Sequence, residues 1–344
     1  MAFSVDALLF RTSWYARLLE PDSSAAHVER MIAVERAKLS QPSRYHAVSV
    51  GDSRMGFFAR HGNERHAADG FRFGALSLGG ALPRTWPYIL RAVDPGANHY
   101  SAIIIPLNDY DDEESDEVWA ERASDLSYLN GQLRLADLPE FTRSYIEWQS
   151  RWRAFRALLF KGYAYQKDVQ TFLQQPQARL NKVELYKNWR QWAYDYKGEA
   201  RSLTGLEVDP TTKTAKFPAG TPEPVRNLVA RLIEAEPIPR DGTMAAYNRY
   251  WLGKIVDRYR GSKTRLIFIR LPRVPLPLPI RPANPGSTVR QFAREPHVTI
   301  VDEFHFDSLS RPELFMDPWH LNGEGIERFS IELSDEVRRI LTKS

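Results

Sequence analysis

The sequence contains no cysteine among its 344 residues. A thiolate nucleophile, a disulfide framework and a cysteine-based zinc site are therefore excluded, while either redox compartment stays open. The chain also lacks any run of about 18 uncharged apolar residues, so we expect no membrane span. Its N-terminal apolar stretch, residues 1–11, is short and interrupted by Asp6, and it predicts neither a signal peptide nor an anchor.

An excess of charge of either sign is also missing. The chain has 47 Lys and Arg against 43 Asp and Glu, a formal net charge of +4. So small an excess, without an RNA-binding motif, predicts no nucleic-acid partner. Hydrophobic residues make up 43% and aromatic residues 12%, which at this length supplies the core of one large or two small domains.

Short apolar runs recur along the chain, most of them followed by a turn. They predict five strands, centred on residues 47–50, 71–78, 101–107, 264–271 and 297–302. Helical patterns separate the first three, and another, at residues 244–259, precedes the fourth. This alternation predicts an α/β fold with a parallel sheet covered on both faces, whose ligands bind at the carboxyl ends of the strands.

Two segments lie outside that pattern. Residues 1–44 predict a helical N-terminal extension, and residues 118–240 a long helical insertion without a strand, in which residues 204–224 form a loop. Both are expected to belong to one domain. Before the insertion, the acidic run at residues 111–117 predicts a solvated loop or the negative start of a helix.

Ser53 follows the first predicted strand after a turn at Gly51. We expect a helix to begin near Met55, so that its first free N–H groups face whatever the serine hydroxyl attacks. That position suits a nucleophile. The alternative is a serine N-cap after a glycine turn, which needs no chemistry.

Three further polar blocks support the catalytic interpretation. Gly80 follows the second strand and Asn108 the third, so both can meet Ser53 at the carboxyl edge. Asp317 and His320 are three residues apart, and in a turn the carboxylate can bind imidazole Nδ1–H and leave Nε2 as a general base. An isolated Asp-x-x-His often only caps a turn. The ordered set of four blocks is the stronger signal.

At these four blocks the sequence resembles the SGNH, or GDSL, hydrolases, over roughly residues 45–110 and 264–341. The matching residues are Gly51, Asp52 and Ser53; Gly80; Asn108 and Asp109, with Pro106 in place of the usual glycine; and Asp317 and His320. Residues 51–54 and 315–322 are most similar to the branch that works with membrane-bound O-acyltransferases. That branch includes the alginate acetylation proteins and the D-alanylation protein of teichoic acids.

The resemblance implies a three-layer, flavodoxin-like SGNH fold. It implies Ser53 as the nucleophile, His320 as the base and Asp317 as its orienting partner. The backbone N–H groups of Ser53 and Gly80 and the side-chain amide of Asn108 would form the oxyanion hole. It implies no metal and no cofactor. Its partners would be an acyl-ester or glycan substrate and a membrane-bound O-acyltransferase, in an extracytoplasmic location, although this sequence shows no anchor.

The function expected on these grounds is hydrolysis or transfer of an acyl ester, typically acetyl, on a polysaccharide. A small-molecule carboxylesterase and a non-catalytic SGNH-like domain that binds a glycan or a partner stay as alternatives. A metal enzyme built on His61, His66 and the carboxylates at 111–117 is disfavoured, because their spacing fits no known ligand set.

Tryptophans are concentrated in the predicted insertion, at Trp148, Trp152, Trp189 and Trp192. Amphipathic helices with aromatic cores explain this concentration without any binding function. The alternative is a surface for a sugar polymer, a partner protein or a membrane face, with arginine available to bind acidic groups.

Overall fold

A computed structural model of the protein describes residues 2–12, 15, 23–113, 123–185, 201–209, 211–234, 242–274, 276 and 282–343, and of residues 2, 123 and 182–185 only the backbone. The chain divides into two compact units. The sheet unit contains residues 43–77, 97–115 and 194–344, and the helical unit contains residues 1–42, 78–96 and 116–193. The predicted single-domain organisation, with an extension and an insertion, stays a prediction.

Seven strands are found in the described residues, all in the sheet unit. They are β1 (Tyr45–Gly51), β2 (Phe71–Ser77), β3 (Ala102–Leu107), β4 (Glu207–Asp209), β5 (Thr214–Lys216), β6 (Arg265–Arg270) and β7 (Val298–Ile300). Five of them form one parallel sheet in the order β2-β1-β3-β6-β7. Counted within that sheet the order is 2-1-3-4-5, the flavodoxin-like arrangement. The predicted α/β class and five-stranded parallel sheet are confirmed.

The α-helices of the described residues are named in chain order. They are α1 (Ala2–Phe10), α2 (Ser24–Leu39), α3 (Phe58–His66), α4 (Trp86–Val93), α5 (Ala123–Leu129), α6 (Leu138–Arg143), α7 (Trp148–Leu159), α8 (Lys161–Ala164), α9 (Gln166–Gln174), α10 (Pro176–Leu185), α11 (Glu223–Glu234), α12 (Thr243–Tyr259), α13 (Thr288–Phe292) and α14 (Gly323–Lys343).

The main sheet of the sheet unit is covered on both faces, because alternate residues of its strands point to opposite sides. On one face, Ile104 and Ile267 join a buried cluster with Phe329 and Leu333 of α14. On the other face, the Phe268 ring lies 6.0 Å from the ring of Phe292 in α13. The sheet unit is therefore a three-layer α/β structure.

Helix α14 covers the sheet with one apolar stripe. Its buried residues include Ile326, Phe329, Leu333, Val337 and Ile340, at intervals of three and four residues. That spacing places all five on one side of a helix. Burying one such side chain contributes about 1.5–3 kcal/mol, so this stripe anchors α14 and with it the loop that precedes the helix.

The short strands β4 and β5 correct one expectation. They pair antiparallel as a hairpin within the segment predicted to be a loop, so the predicted insertion is not entirely helical. The Asp209 carboxylate accepts hydrogen bonds from the N–H groups of Thr211 and Thr212 and stabilises the connection. Because each strand has three residues, with only its central one partly buried, neither gives an apolar run that the sequence analysis could detect.

The helical unit contains a buried ion pair. Arg84 and Asp125 are both fully buried, with Nη2 and Oδ2 2.7 Å apart. The Arg84 guanidinium also lies 4.2 Å from the centre of the Tyr145 ring. These contacts join the segment before α4 to α5 and to the residues that follow α6.

Among the described residues of either unit, no helix is long and apolar enough to cross a membrane.

Asn322 connects the start of α14 to the segment before it. Its Oδ1 accepts from the Gly325 N–H at 3.0 Å, and its Nδ2 donates to the Glu313 carbonyl at 2.7 Å. We expect Asn322→Ala to lower the free energy of unfolding by about 1–3 kcal/mol, because a helix cap is lost and the Glu313 carbonyl loses the donor of a partly buried hydrogen bond. Urea unfolding measures the loss. Asn322→Asp keeps the acceptor for Gly325 and should lose less, whereas an unchanged midpoint for Asn322→Ala would contradict this role.

Candidate active site

Ser53 lies just past the carboxyl end of β1, where the strand ends at Gly51. The φ angle of Gly51 is +146°, a region that favours glycine, and a Cβ there would lie 2.9 Å from both Met55 Cγ and Pro106 Cγ. A larger residue would therefore be strained and would collide with β3. Glycine allows the sharp turn that carries Ser53 out of the sheet.

The residues after Ser53 form turns, so the prediction of a helix from about Met55 is wrong. The side-chain carboxylate of Asp52 accepts a hydrogen bond from the Arg54 N–H at 2.9 Å, and the backbone carbonyl of Asp52 accepts one from the Met55 N–H at 3.2 Å. This local side-chain bond competes with helix formation. Helix α3 begins only at Phe58, and its N-terminus is not at Ser53.

Asn108 directly follows β3, the neighbour of β1 in the sheet. The ladder between the two strands ends at Ser49 and Ile104, and Pro106 then lacks the N–H that would continue it towards β1. The pairing of β1 with β3 ends where the strand order reverses. Open parallel sheets bind ligands in this crevice.

Asp317 and His320 lie in a short loop before α14. The loop is closed by a bridge between Phe315 and Leu321 and by a hydrogen bond from the Met316 N–H to the His320 carbonyl at 3.0 Å. These bonds fix the conformation of the loop, and the buried stripe of α14 fixes its place at the end of that helix.

Ser53, His320 and Asp317 form a continuous hydrogen-bonded chain. Ser53 Oγ lies 2.8 Å from His320 Nε2, and His320 Nδ1 lies 2.9 Å from Asp317 Oδ2. An ionised carboxylate only accepts hydrogen bonds, so Nδ1 carries the proton and neutral Nε2 accepts from the serine hydroxyl. The structure therefore brings together three predicted site residues that are up to 267 positions apart.

The environment of Asp317 keeps its carboxylate ionised. Burial alone would raise its pKa, but the hydrogen bond and charge of His320 and the N–H groups of Trp319 and His320 outweigh burial and lower the pKa below its ordinary value. Both N–H groups lie 2.8 Å from Oδ1. The carboxylate that orients the imidazole is thus itself held by its own loop.

Asp52 and Arg54, on either side of Ser53, add an ion pair that the sequence analysis did not assign a role. Arg54 Nη2 lies 2.6 Å from Asp52 Oδ2, and Nε lies 3.0 Å from both carboxylate oxygens. Arg54 Nη1 also donates to the Asn108 side-chain oxygen. Burial would raise the pKa of Asp52, but the charge and hydrogen bonds of Arg54 lower it overall. Opposite charges two positions apart were the only sequence signal, and such pairs are common.

The two other residues predicted for the oxyanion hole, Asn108 and Gly80, lie in different units of the chain. Asn108 contacts Arg54, the residue after Ser53, in the sheet unit. Gly80 follows β2 in a turn with φ +67° and belongs to the helical unit. The contribution of Gly80 to an oxyanion hole stays a prediction.

The described part of the acidic run corrects a further expectation, since it is not a solvated loop. Asp112 is buried and accepts from Asn248 Nδ2 and from the Thr288 N–H, both at 2.8 Å. Asp111 accepts from the Arg290 guanidinium at 3.1 Å. Residues 114–117 lie outside the described residues. These bonds tie the chain after Asn108 to α12 and α13, so the Asn108 loop is fixed from both ends.

The two histidines weighed as metal ligands have carboxylate neighbours in α3, in the turn after it and in α14. His61 Nδ1 lies 3.3 Å from Glu64, and His66 lies within 3.4 Å of both Asp69 and Asp335. No group of three or more potential metal ligands converges anywhere in the described part of the chain.

Comparison with models of known protein families finds none that matches this chain, and comparison with curated proteins finds no similar sequence.

The lowered pKa of Asp317 predicts a dependence of stability on pH. A carboxyl group with a lower pKa in the folded state stabilises the fold above its unfolded pKa, about 4, and this contribution disappears as the pH falls through the folded value. The difference in unfolding free energy between wild type and Asp317→Asn should therefore shrink when urea unfolding is repeated from pH 6 down to about pH 3. The control Glu327→Gln, at an exposed position, should show no such trend. A constant difference for Asp317→Asn would contradict the assigned environment.

Proposed function

We propose that the protein is a serine-dependent acyl-ester hydrolase or O-acyltransferase that acts on acylated, typically acetylated, polysaccharide. The observation that carries the proposal is the chain of short contacts from Ser53 Oγ through His320 to Asp317. The resemblance of the four sequence blocks to SGNH hydrolases supports it, as does the flavodoxin-like strand order.

The first half of the reaction forms an acyl-enzyme. Ser53 Oγ attacks the ester carbonyl carbon while His320 Nε2 takes the hydroxyl proton, and Asp317 stabilises the resulting imidazolium. The carbonyl oxygen becomes an oxyanion, which the Ser53 N–H, the Asn108 amide and the Gly80 N–H would stabilise. When the tetrahedral intermediate collapses, the ester C–O bond breaks and His320 returns the proton to the leaving alcohol. One oxyanion-hole donor is typically worth about 3 kcal/mol in the transition state.

The second half decides between hydrolase and transferase. His320 removes a proton from water or from a sugar hydroxyl, and that oxygen attacks the acyl carbon. The bond from this carbon to Ser53 Oγ then breaks, and His320 returns the proton to Oγ. Transfer requires that an alcohol is bound and water is kept from the ester. A small-molecule carboxylesterase has the same three catalytic residues, so the choice of substrate depends on surfaces outside them.

Exposed tryptophans in the helical unit support a glycan substrate. On α7, Trp148 is 73% and Trp152 44% exposed, and their nearly parallel rings lie 6.3 Å apart. Exposed aromatic faces of this kind can stack on sugar rings, and Arg151 and Arg153 are exposed on the same helix, where their guanidinium groups can bind acidic groups of a polymer. Trp189 and Trp192 lie outside the described residues.

A partner of the membrane-bound O-acyltransferase type belongs to the same proposal. Its support is the likeness of residues 51–54 and 315–322 to the branch of SGNH proteins that works with such enzymes. In that arrangement the membrane enzyme would supply the acyl group and Ser53 would pass it to the glycan.

The nucleophile can be tested with a short-chain aryl acetate, whose hydrolysis releases a chromophore. Ser53→Ala should lower kcat by at least about 10³-fold, because the covalent route is lost. An alkyl fluorophosphonate should label wild type at Ser53, as seen by peptide mass spectrometry, and should leave the variant unlabelled.

Ser308→Ala is the matched control, since Ser308 is an exposed serine of the same unit and should keep full activity. Circular dichroism and urea unfolding establish that each variant is folded. Equal turnover by wild type and Ser53→Ala would sink the assignment of the nucleophile.

The glycan surface gives a separate prediction. If Trp148 and Trp152 bind the polymer, replacing both by alanine should raise KM for an acetylated acidic polysaccharide by about 3- to 10-fold. It should leave kcat/KM for the aryl acetate unchanged, because only binding away from the reacting ester is lost.

The control here is Tyr250→Ala, which removes an aromatic residue that is 50% exposed on α12. It should leave KM for the polysaccharide and kcat/KM for the aryl acetate unchanged. Polymer kinetics unaffected by the double tryptophan substitution would remove the glycan role of α7 while leaving the nucleophile untouched.

A further inference from the structure

Arg54 connects the turn of the nucleophile to the side chain of Asn108. Its guanidinium makes three contacts of 2.6–3.0 Å with the Asp52 carboxylate and donates through Nη1 to Asn108 Oδ1. Its own N–H also donates to Asp52 at 2.9 Å. Arg54 thereby links the end of β1 to the end of β3, beyond the point where the pairing of these two strands stops.

These contacts take place in a closely packed environment. The side chain of Arg54 is 15% and that of Asp52 20% exposed. Beside Arg54, a cavity of about 10 Å³ is lined in part by Phe57, Pro272 and Trp319, and this volume holds no more than about one water molecule. This cavity therefore has no room for a bound acyl or sugar group.

The chemistry of the guanidinium determines how the Asn108 amide is oriented. An arginine side chain has donors and no acceptor, so it can bind the amide oxygen but not the amide nitrogen. With Oδ1 held by Arg54, the Nδ2 donors lie on the opposite branch of the amide. If the amide turned by 180°, an oxygen would take the place of the donors and would repel a developing oxyanion.

We propose that Arg54 is a positioning residue, which is anchored by Asp52 and sets the Asn108 amide with its NH₂ group ready to stabilise the oxyanion. This inference rests on the proposed function, because it concerns the same Ser53 site. Asp52 has a part in it, since a carboxylate that binds Nε and Nη2 of the guanidinium fixes the direction of the remaining nitrogen, Nη1.

A double-mutant cycle between Arg54 and Asn108 tests the proposal. With the aryl acetate, Arg54→Met should lower kcat by about 10- to 100-fold at nearly unchanged KM, which is less than the loss of about 10²- to 10³-fold when an oxyanion-hole donor is removed outright. In an Asn108→Ala background the same change should lower kcat by less than about 3-fold, because the group on which Arg54 acts is gone. Equal losses in both backgrounds would overturn the inference.

Two further variants make the cycle interpretable. Arg60→Met removes an arginine of α3 that pairs with Glu64, and it should leave kcat unchanged in both backgrounds. If Arg54→Met does not fold, Arg54→Lys takes its place in the cycle, because lysine keeps a charge beside Asp52 but lacks the planar fork that reaches both partners.

A second measurement does not depend on turnover. The side-chain amide NMR signals of Asn108, identified by their loss in Asn108→Ala, should shift or broaden in Arg54→Met and stay in place in Arg60→Met. If wild type and Ser53→Ala turn over the aryl acetate equally, the proposed function fails and this measurement alone decides the positioning of Asn108. Amide signals that do not respond to Arg54→Met would overturn it.

Discussion

The Asp317 carboxylate is the group on which the geometry of the candidate site depends. It accepts hydrogen bonds from two backbone N–H groups of its own loop and from the imidazole Nδ1–H of His320. The backbone bonds shape the loop, and the imidazole bond selects the tautomer in which Nε2 faces Ser53. One ionised group thus determines both where the histidine lies and which of its nitrogens is available as a base. Because the loop leads directly into α14, packing of that helix on the sheet maintains the arrangement.

The crevice at the carboxyl edge has an equally local cause. Gly51 takes up a backbone conformation that other residues adopt only with strain, and Pro106 cannot continue the hydrogen-bonded ladder with β1. The hydrogen-bonded pairing of the two central strands ends at Ser49 and Ile104, four residues before Ser53 and Asn108 respectively. Buried strands with broken pairing would normally be penalised. Beyond the end of this pairing, the side chains of Asp52, Arg54 and Asn108 satisfy one another's polar groups.

Patterns of burial explain why some features could be predicted from the sequence and others could not. The five sheet strands are runs of buried β-branched and aromatic residues, and each was located to within about two residues at either end. The contacts among Ser53, His320 and Asp317 could be predicted because the proposed chemistry needs these residue types, and their order along the chain is that of the family the sequence resembles. The turn after Ser53 was missed because a single side-chain bond from Asp52 delays the helix, and the β4–β5 hairpin because its strands are short and exposed. Arg54 was given no role because its partner Asn108 is 54 positions away and only strand pairing brings them together.

The charges around the nucleophile follow from these placements. Asp52 is close enough to His320 for the imidazole charge to contribute to its lowered pKa, so an unpaired Asp52 carboxylate would compete with Asp317 for the imidazolium. Pairing with Arg54 opposes that competition, because the positive charge 2.6 Å from the Asp52 carboxylate offsets part of its field. Asp317 is the carboxylate that contacts the imidazole ring of His320 directly, at Nδ1. The ion pair beside Ser53 thus partly compensates the charge of a second carboxylate next to the proposed nucleophile.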